Sequence, residues 1–229
     1  EFLRHVEHFQ PKVFIMENVL GIRTASGGQY FTQVQAEARK LGYRVHAQVE
    51  ECVKLGVPQK RRRQLFVGTR DDLPGYFHPK LKLPARAIPD ATLWEAIGDL
   101  PPLKAGVGDE EREYDTNRRA DKYTPRSSRY LLQVMEVEKT KLLTAHRARP
   151  HSERDLGDFL KLKEGENSGE AIRRGIEFDF PYNKATFKDR YTRQHRNRPC
   201  STIVAHLAKD GLMFIHPTQN RTLTPREAA

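Results

Sequence analysis

The first 70 residues alternate short apolar runs with polar turns. Residues 2–9 have the spacing of a short amphipathic helix, and Pro11 ends it before the apolar run at residues 13–16. That run predicts a buried strand of a parallel sheet. Residues 20–28 contain three glycines and are expected to form a loop.

Three further elements follow in this first part of the chain. Helical spacing over residues 30–41 ends at Gly42, and residues 43–49 have the pattern of a strand. After a turn at residues 56–58, a third strand is expected around residues 64–69. The order of strand, helix, strand, strand is typical of half of a doubly wound α/β sheet.

The pattern changes beyond residue 80, where a domain boundary is predicted. Prolines recur up to residue 102, and residues 104–128 are polar with little periodicity. Residues 92–100 predict a short helix, because Thr92 and Glu95 have capping-box spacing. Residues 130–143 predict a longer helix.

The last 30 residues regain regular character. Strands are predicted at residues 202–205 and 212–215, with a hairpin turn at residues 209–211. A capping Thr224 followed by Pro225 then predicts the start of a helix.

Composition narrows the class of protein. Forty Lys and Arg against thirty Asp and Glu give a net charge of +10 and a pI near 9.7, which favours a polyanionic partner such as nucleic acid. The two cysteines, Cys52 and Cys200, exclude a disulfide framework and fit a reducing cytoplasm. No apolar run reaches the length of a membrane span, and the N-terminus lacks both Met and a signal peptide, so we expect a soluble, truncated chain.

Glu17 is the first candidate for chemistry. It follows a predicted buried strand at its carboxyl end, where open α/β sheets place their ligand crevice. Burial would favour the neutral, proton-donating form of this acid. An acid that is merely exposed at the strand end, or that caps the next helix, explains the position equally well.

Two basic segments are the second candidate. In the run at residues 59–63, strand alternation would put Gln59, Arg61 and Arg63 on one face, towards Glu17 or an anion, and would leave Arg62 for phosphate. A solvated cluster or a nuclear-localisation patch is the alternative.

The second basic segment, residues 187–198, interleaves aromatic and basic side chains. Its arginines, Arg190, Arg193, Arg196 and Arg198, could contact phosphates or base edges, although a solvated loop would have the same composition. The segment therefore predicts a DNA contact without establishing one.

Residues 14–19 (FIMENV) and 57–63 (VPQKRRR) resemble, in order and spacing, the ENV and QxRxR motifs of DNA cytosine-5 methyltransferases. Residues 92–106 are similar to the segment that enters the target-recognition domain of that family, and residues 198–227 are similar to its ninth motif. Residues 104–197 match less well, as a region that varies with the recognised DNA would.

The resemblance implies an α/β fold that comprises the C-terminal half of a Rossmann-like methyltransferase sheet and a smaller mixed target-recognition domain. Residues 1–80 would be the C-terminal part of the catalytic domain, residues 81–197 the target-recognition domain, and residues 198–229 the ninth motif and the start of a helix that returns to the catalytic domain.

The resemblance also implies roles for single residues. Glu17 would contact ring nitrogen 3 of a flipped cytosine, Arg63 would hold Glu17 and the cytosine carbonyl oxygen, and Arg61 would be the second arginine of the motif, nearer the phosphate and the nucleophile loop. Asn18 would shape the loop. The residues expected at the DNA are Asn18, Gln59, Arg62, Arg190, Arg193, Arg196 and Arg198.

The chain departs from the family by lacking the Pro-Cys-Gln nucleophile loop expected upstream of Glu17. Cys200 follows a proline but lies in the ninth-motif block, so it is not expected to be the nucleophile. S-adenosylmethionine would be the methyl donor, with most of its site outside this chain. The chain alone is then expected to be inactive, with double-stranded DNA as its partner, in a restriction-modification or orphan setting. Its free sheet edges could pair two copies.

A second class of function stays open. The chain could be a non-catalytic DNA-binding module or one subunit of a split methyltransferase. A nuclease would have only Asp90, Glu95 and scattered acids to support it, and no metal-nuclease motif is complete. The histidine groups at His5 and His8, and at His146 and His151, lack a complete metal-ligand set at a recognised spacing, so no metal site is predicted.

Overall fold

The chain divides into two compact units. A computed structural model describes residues 1–74, 90–113, 130–131, 142–180, 191–204 and 211–229. Unit 1 contains Glu1–Leu55 and Arg61–Lys82, and unit 2 contains Gly56–Lys60 and Leu83–Ala229. The predicted division into catalytic, target-recognition and ninth-motif parts stays a prediction. No helix in the described ranges is both long and apolar enough to cross a membrane.

Unit 1 contains two helices and three strands. They are α1 (Phe2–Phe9), β1 (Val13–Asn18), α2 (Gln29–Lys40), β2 (Tyr43–Glu51) and β3 (Arg62–Arg70). The loop predicted at residues 20–28 consists of the 3-10 turns Leu20–Arg23 and Ala25–Gly28, and a third such turn is Cys52–Leu55. Every helix and strand predicted from the first part of the sequence is therefore present.

The three strands of unit 1 form a sheet in the order β1-β3-β2, and both neighbouring pairs are antiparallel. The parallel pairing predicted for residues 13–16 was therefore wrong for the described neighbours of β1. The physical reason is that β3 inserts between β1 and β2: the short link makes β3 antiparallel to β2, so β1, which runs the same way as β2, is also antiparallel to β3. Since β1 and β2 both oppose β3, they run in the same direction, with α2 connecting them along the chain.

One face of this sheet carries the core of unit 1. Phe14, Tyr43 and Phe66 are buried there, together with Val6 of α1 and Ala38 of α2. Successive strand residues point to opposite sides of the sheet. The apolar residues therefore gather on one side, and the helices cover that side.

The Phe14 ring determines what can stand opposite it on β3. Phe14 is the register partner of Gly68, and a Cβ atom at position 68 would overlap the Phe14 ring. On the other face of β1, Ile15 remains 63% exposed. The aromatic core therefore lies on one face of the sheet, although Val67 and Thr69 of the central strand are buried on the other face.

Unit 2 contains shorter elements. They are α3 (Leu93–Ile97), β4 (Gly108–Glu113), β5 (Leu142–Arg147), α4 (Glu153–Leu160), α5 (Ser168–Arg173), the 3-10 turn Gly211–Met213 and α6 (Pro225–Ala228). β4 and β5 pair antiparallel. The predicted capping boxes are present, with Thr92 and Glu95 at α3 and with Thr224 and Glu227 at α6.

Two predictions for unit 2 were wrong in part. The helix predicted at residues 130–143 lies mostly outside the described residues, but its last two residues belong to β5. Residues 212–215 form no strand: a 3-10 turn is followed by isolated bridges from Ile215 to Arg193 and Thr222. The reason is that apolar runs this short can be buried without a ladder partner.

Residues 202–204 are likewise irregular. The hairpin turn predicted at residues 209–211 lies mostly outside the described residues. The C-terminal segment of the chain is therefore ordered by packing and side-chain hydrogen bonds and not by the two-stranded ladder that its apolar runs predicted.

The ninth-motif segment packs inside unit 2. Ile215 is buried in a cluster with Phe159 and Tyr191, while Phe214 and Leu223 are buried in a second cluster around α3. This segment therefore helps to build two cores of the same unit. Its predicted return to the catalytic domain stays a prediction.

Candidate active site

Glu17 lies near the end of β1, between two arginines of the basic run. Its Oε1 atom is 2.7 Å from Nε of Arg63 and 3.5 Å from Nη2 of Arg61. The Arg63 side chain is only 18% exposed. Charge-assisted contacts of 2.7 Å are stronger and more directional than neutral hydrogen bonds, so Arg63 holds the Glu17 carboxylate and Arg61 adds a longer contact.

The strand register explains why these side chains meet. Glu17 is opposite Leu65 on the neighbouring strand, and Arg63 lies two residues further along that strand. Residues two apart on a strand share a face, so Arg63 projects from the face that carries Glu17. The structure thus brings together Glu17, Arg61 and Arg63, while their catalytic roles stay a prediction.

The expectation of a buried acid is not met in this structure. The Glu17 side chain is 49% exposed. It projects from the face of the sheet opposite the core, and the strand end leaves one side of the carboxylate open to solvent. The position is therefore an accessible, arginine-bound carboxylate.

Asn18 turns the chain after the strand. Its Oδ1 atom accepts a hydrogen bond of 2.8 Å from the backbone N–H of Val19. Opposite Asn18, the fully buried Gln64 donates to the carbonyls of Gln48 and Leu65 and accepts from Arg23. The sequence did not single out Gln64, whose only signal was a polar residue inside an apolar strand pattern.

Arg62 projects from the face of β3 opposite to that of Arg63 and Glu17, as the alternation predicted. Its side chain is 58% exposed, and its Nε atom is 3.5 Å from Oε1 of Glu51. The pair is therefore open to solvent, and an exposed ion pair of this kind contributes little to stability. Its exposure leaves Arg62 accessible to a phosphate.

Gln59 belongs to unit 2, where it forms an isolated parallel bridge with Cys200. Its Oε1 atom accepts a hydrogen bond of 3.2 Å from the backbone N–H of Ile203. The Lys60 N–H donates to the Cys200 carbonyl at 2.7 Å, and the Thr202 hydroxyl donates to the Lys60 carbonyl at 2.7 Å. Gln59 is thus a structural link to the ninth-motif segment.

Cys200 is 2% exposed, and burial raises the pKa of its thiol to about 12. The thiol donates to Oε1 of Gln194, which also accepts from the backbone N–H of Ser201. Only a thiolate is an effective nucleophile. The structure therefore gives Cys200 a packing role.

Arg193 was predicted to contact DNA, but its side chain is buried in unit 2 and 7% of the residue is exposed. Its guanidinium donates to backbone carbonyls and one amide oxygen, and the acceptors are Phe159, Leu162, His216, Gln219 and Asn220. These five bonds use all five N–H donors of the side chain. This placement corrects the prediction for Arg193, because no donor is left for a phosphate.

The other predicted DNA-contacting arginines of this segment are not buried where the structure describes them. Arg196 makes a bidentate pair with Glu164 at 2.8–3.0 Å and lies 5.8 Å from the centre of the Trp94 ring. Arg198 is exposed. Arg190 lies outside the described residues. Both Arg196 and Arg198 are exposed, but the Arg196 guanidinium is already paired with Glu164.

A buried ion pair joins Arg221 to Glu227. Two N–H···O contacts of 2.7 Å connect the side chains, which are 0% and 1% exposed. Burial alone would raise the pKa of the Glu227 carboxyl, but Arg221, His216 and the Thr224 N–H together outweigh it, so the pKa lies below its usual value. Burial also lowers the pKa of the neighbouring His216 to about 4. The sequence placed both residues in the ninth-motif segment, but no regular spacing indicated that they form a pair.

Two further histidines of unit 2 act as hydrogen-bonding groups. His146 contacts the Thr224 hydroxyl and the Pro101 carbonyl, and His151 contacts the Thr222 hydroxyl. Burial lowers the pKa of His151 to about 4. Among the described residues there is no group of three His, Cys, Asp or Glu side chains able to hold a metal ion.

The geometry agrees with comparisons made with known proteins. The profile described as C-5 cytosine-specific DNA methylase matches residues 1–229. The chain belongs to the C-5 cytosine-specific DNA methylase family. The motifs around Glu17 and Arg63 thus lie in a chain that matches the family along its whole length.

Among curated relatives, the type II methyltransferase M.Bpa9945I of Bacillus paralicheniformis is 32% identical, over 100% of this chain and 53% of the relative. M.DdeI of Desulfomicrobium norvegicum, also a type II methyltransferase, is 30% identical, over 100% of this chain and 54% of the relative. The chain thus spans about half the length of these relatives.

A solved structure described as an E. coli prophage-encoded DNA modification methyltransferase has a TM-score of 0.66 and 21% identity. The structural match covers 100% of this chain and 60% of that chain. At this level of identity, the likeness shows a shared fold.

Proposed function

We propose that this chain is the part of a DNA cytosine-5 methyltransferase that binds the target base through Glu17 and carries the target-recognition region. The whole protein would transfer a methyl group to carbon 5 of a flipped cytosine in a specific double-stranded DNA sequence. The observation that supports this most directly is the Glu17 carboxylate held by Arg63 and Arg61 at an accessible strand end.

In this proposal Glu17 contacts ring nitrogen 3 of the cytosine. The contact would stabilise the intermediate that forms when a thiolate adds to carbon 6. The partial exposure of Glu17 is what a residue that must touch an incoming base requires. An acid sealed in the core could not make this contact.

Arg63 and Arg61 orient the acid. Two guanidinium groups on one carboxylate oxygen restrict its rotation, so the carboxyl is presented in a single direction. Arg63 would also donate to the cytosine carbonyl oxygen, which its planar fork can reach while its Nε stays at Glu17. The reaction therefore needs this pair as a unit.

The attacking cysteine and most of the methyl-donor site are proposed to lie outside this chain. S-adenosylmethionine would supply the methyl group, and no residue of this chain is assigned to bind it. Asn18, Arg62 and the exposed Arg198 are proposed to lie at the DNA. Arg190 and Arg196 stay candidates. We place the whole protein in the cytoplasm, in a restriction-modification or orphan setting.

The test is tritium transfer from labelled S-adenosylmethionine to mixed-sequence DNA by the protein expressed from the complete reading frame that encodes this chain. Glu17→Gln should lower the rate by about 100-fold or more, the usual size of a lost general acid. Glu37→Gln is the matched control, because Glu37 is a partly exposed acid of unit 1 that pairs with nearby Lys40 in α2. The control should transfer label at the parental rate.

Each outcome separates two classes of function. Transfer that depends on Glu17 supports the methyltransferase. A complete protein that binds DNA but transfers no label would contradict it, and a non-catalytic DNA-binding module or a split subunit would then be the better account. Restoration of transfer by a separate partner chain would identify the split subunit.

A further inference from the structure

The face of the unit 1 sheet that carries Glu17 and Arg63 also carries a second acid near Arg63. β3 is the central strand, and Arg63 is the register partner of Glu50 on β2. Directly opposite residues have Cβ atoms about 5 Å apart. Arg63 therefore has a carboxylate on each neighbouring strand: Glu17 on β1, which it contacts directly, and Glu50 on β2.

Glu50 is held in place along its own strand. His46 Nε2 lies 2.8 Å from Gln48 Oε1, and Gln48 Nε2 donates to Glu50 Oε1 at 2.6 Å. These residues alternate along β2, so they share the face that carries Arg63. The whole row lies opposite the buried core.

The carboxylate sets the direction of this chain of hydrogen bonds. An ionised Glu50 only accepts, so the Gln48 amide must present its NH₂ group to Glu50 and its oxygen to His46. His46 must then donate from Nε2. All three side chains are oriented by one charge, and Glu50 is restricted before it interacts with any arginine.

The adjacent acid, Glu51, shows that the pairing is specific to one face. Glu51 projects from the other side of the strand, where it lies 3.5 Å from Nε of Arg62 and 2.9 Å from Nζ of Lys54. Strand alternation therefore places one acid and one arginine on each face of the sheet. Glu51 matches Arg62, and Glu50 matches Arg63.

We propose that Glu50 is a positioning residue for Arg63, and this inference rests on the proposed function. Glu17 would exchange part of its contact with Arg63 for the cytosine during the reaction. Attraction from Glu50 on the opposite side keeps the guanidinium over the sheet at that moment, so that it can donate to the base. Glu50 acts through Arg63 and does not touch the substrate.

The test compares Glu50→Gln with the matched control Glu51→Gln in the complete protein. Glu50→Gln should lower kcat by about two- to fivefold, the range of a cross-strand pair of opposite charges. KM for DNA should stay the same, because Glu50 does not bind substrate. Gln48→Ala, which frees the Glu50 carboxylate, should lower kcat in the same direction. Glu51→Gln should leave kcat unchanged.

A double-mutant cycle supplies a measurement that does not need activity. Urea unfolding of Glu50→Gln, Arg63→Gln and the double variant should show non-additive effects, whereas Glu50→Gln combined with Arg62→Gln should be additive. Coupling of Glu50 with Arg63, together with the fall in kcat, supports the proposal. Additive unfolding effects overturn it.

Coupling without a change in kcat would make Glu50 a structural partner only, and it also overturns the positioning role. If the parental protein transfers no methyl group, the proposed function fails. The unfolding cycle still reports separately whether Glu50 and Arg63 interact.

Discussion

Arg221 and Glu227 face each other through two contacts of 2.7 Å in the interior of unit 2, with side-chain exposures of 0% and 1%. Glu227 also accepts from the backbone N–H of Thr224 and completes the cap of α6. One carboxylate therefore satisfies an arginine and a helix end at once. The ninth-motif segment depends on this pair for its shape.

Arg221→Gln should destabilise unit 2 by about 3–5 kcal/mol, because it leaves the Glu227 carboxylate buried without its cation. Urea unfolding measured on the isolated chain checks this. Arg147→Gln is the control, since Arg147 and Glu110 are 3.8 Å apart and 61% and 71% exposed. Its cost should stay below about 1 kcal/mol. Equal costs for the two variants would contradict the buried-pair interpretation.

Acid should destabilise the protein in part through His216. Burial lowers the pKa of His216 to about 4, below its ordinary value of 6.5. The resulting stability is fully present above pH 6.5 and is lost as the pH falls from there through 4, with a total of about 3 kcal/mol. The lowered pKa of Glu227 acts in the same direction at lower pH.

Melting temperatures measured between pH 7.5 and 4 test this contribution. His216→Gln keeps a side-chain acceptor for the backbone N–H groups of Thr218 and Gln219, which His216 Nδ1 now binds. This variant should be less stable at pH 7 but should lose less stability on acidification. His5→Gln, on the exposed helix α1, should follow the parental curve. A parallel curve for His216→Gln would refute the assignment.

Substitutions of Arg198 and Arg193 should have different effects on DNA affinity and on its salt dependence. Arg198→Ala, which removes an exposed cation, should weaken binding evenly across sequences and reduce the slope of log affinity against log salt by about 1. Fluorescence anisotropy over a salt series measures both quantities for the complete protein.

Arg193→Lys should behave differently, since Lys has three donors for five acceptors. It should lower the stability of unit 2 by about 3 kcal/mol. Among preparations that remain folded, the salt slope should be unchanged. A reduced slope for the Lys variant would show that Arg193 reaches phosphate after all.

The two cysteines should differ in reactivity. Burial and the raised pKa should protect the Cys200 thiol, whereas Cys52 is only partly buried. In the native protein, a thiol reagent should modify Cys52 well before Cys200, and in urea the rates should converge. Cys200→Ala in the complete protein should keep methyl transfer within a few fold. Loss of transfer in a folded Cys200→Ala protein would restore Cys200 as a candidate nucleophile.

The sequence predicted the elements whose signals are local. Apolar runs and the glycine at position 42 located the helices and strands of unit 1, and capping-box spacing located α3 and α6. The grouping of Arg61 and Arg63 near Glu17 was expected from strand alternation together with the resemblance to the family motifs. For the helices and strands, the information lies within a few residues of the feature.

Features that depend on distant partners were missed. The direction of β1 relative to its neighbour depends on β3 inserting between β1 and β2, and no local pattern records that order. Arg193 and Arg198 are indistinguishable in a basic run, yet one is surrounded by carbonyls and the other faces solvent. Gln64, Arg221 and Glu50 likewise acquire their roles only from residues brought to them by the fold.

The contact between Phe14 and Gly68 has a consequence for how this sheet can change over evolution. The glycine is required by the ring opposite it, since the backbone there needs no positive φ. Homologues that carry alanine or a larger residue at position 68 should therefore carry a smaller side chain at position 14, three residues before Glu17. The two sites should covary, and the pair would keep β1 at a fixed distance from β3 while either residue changes.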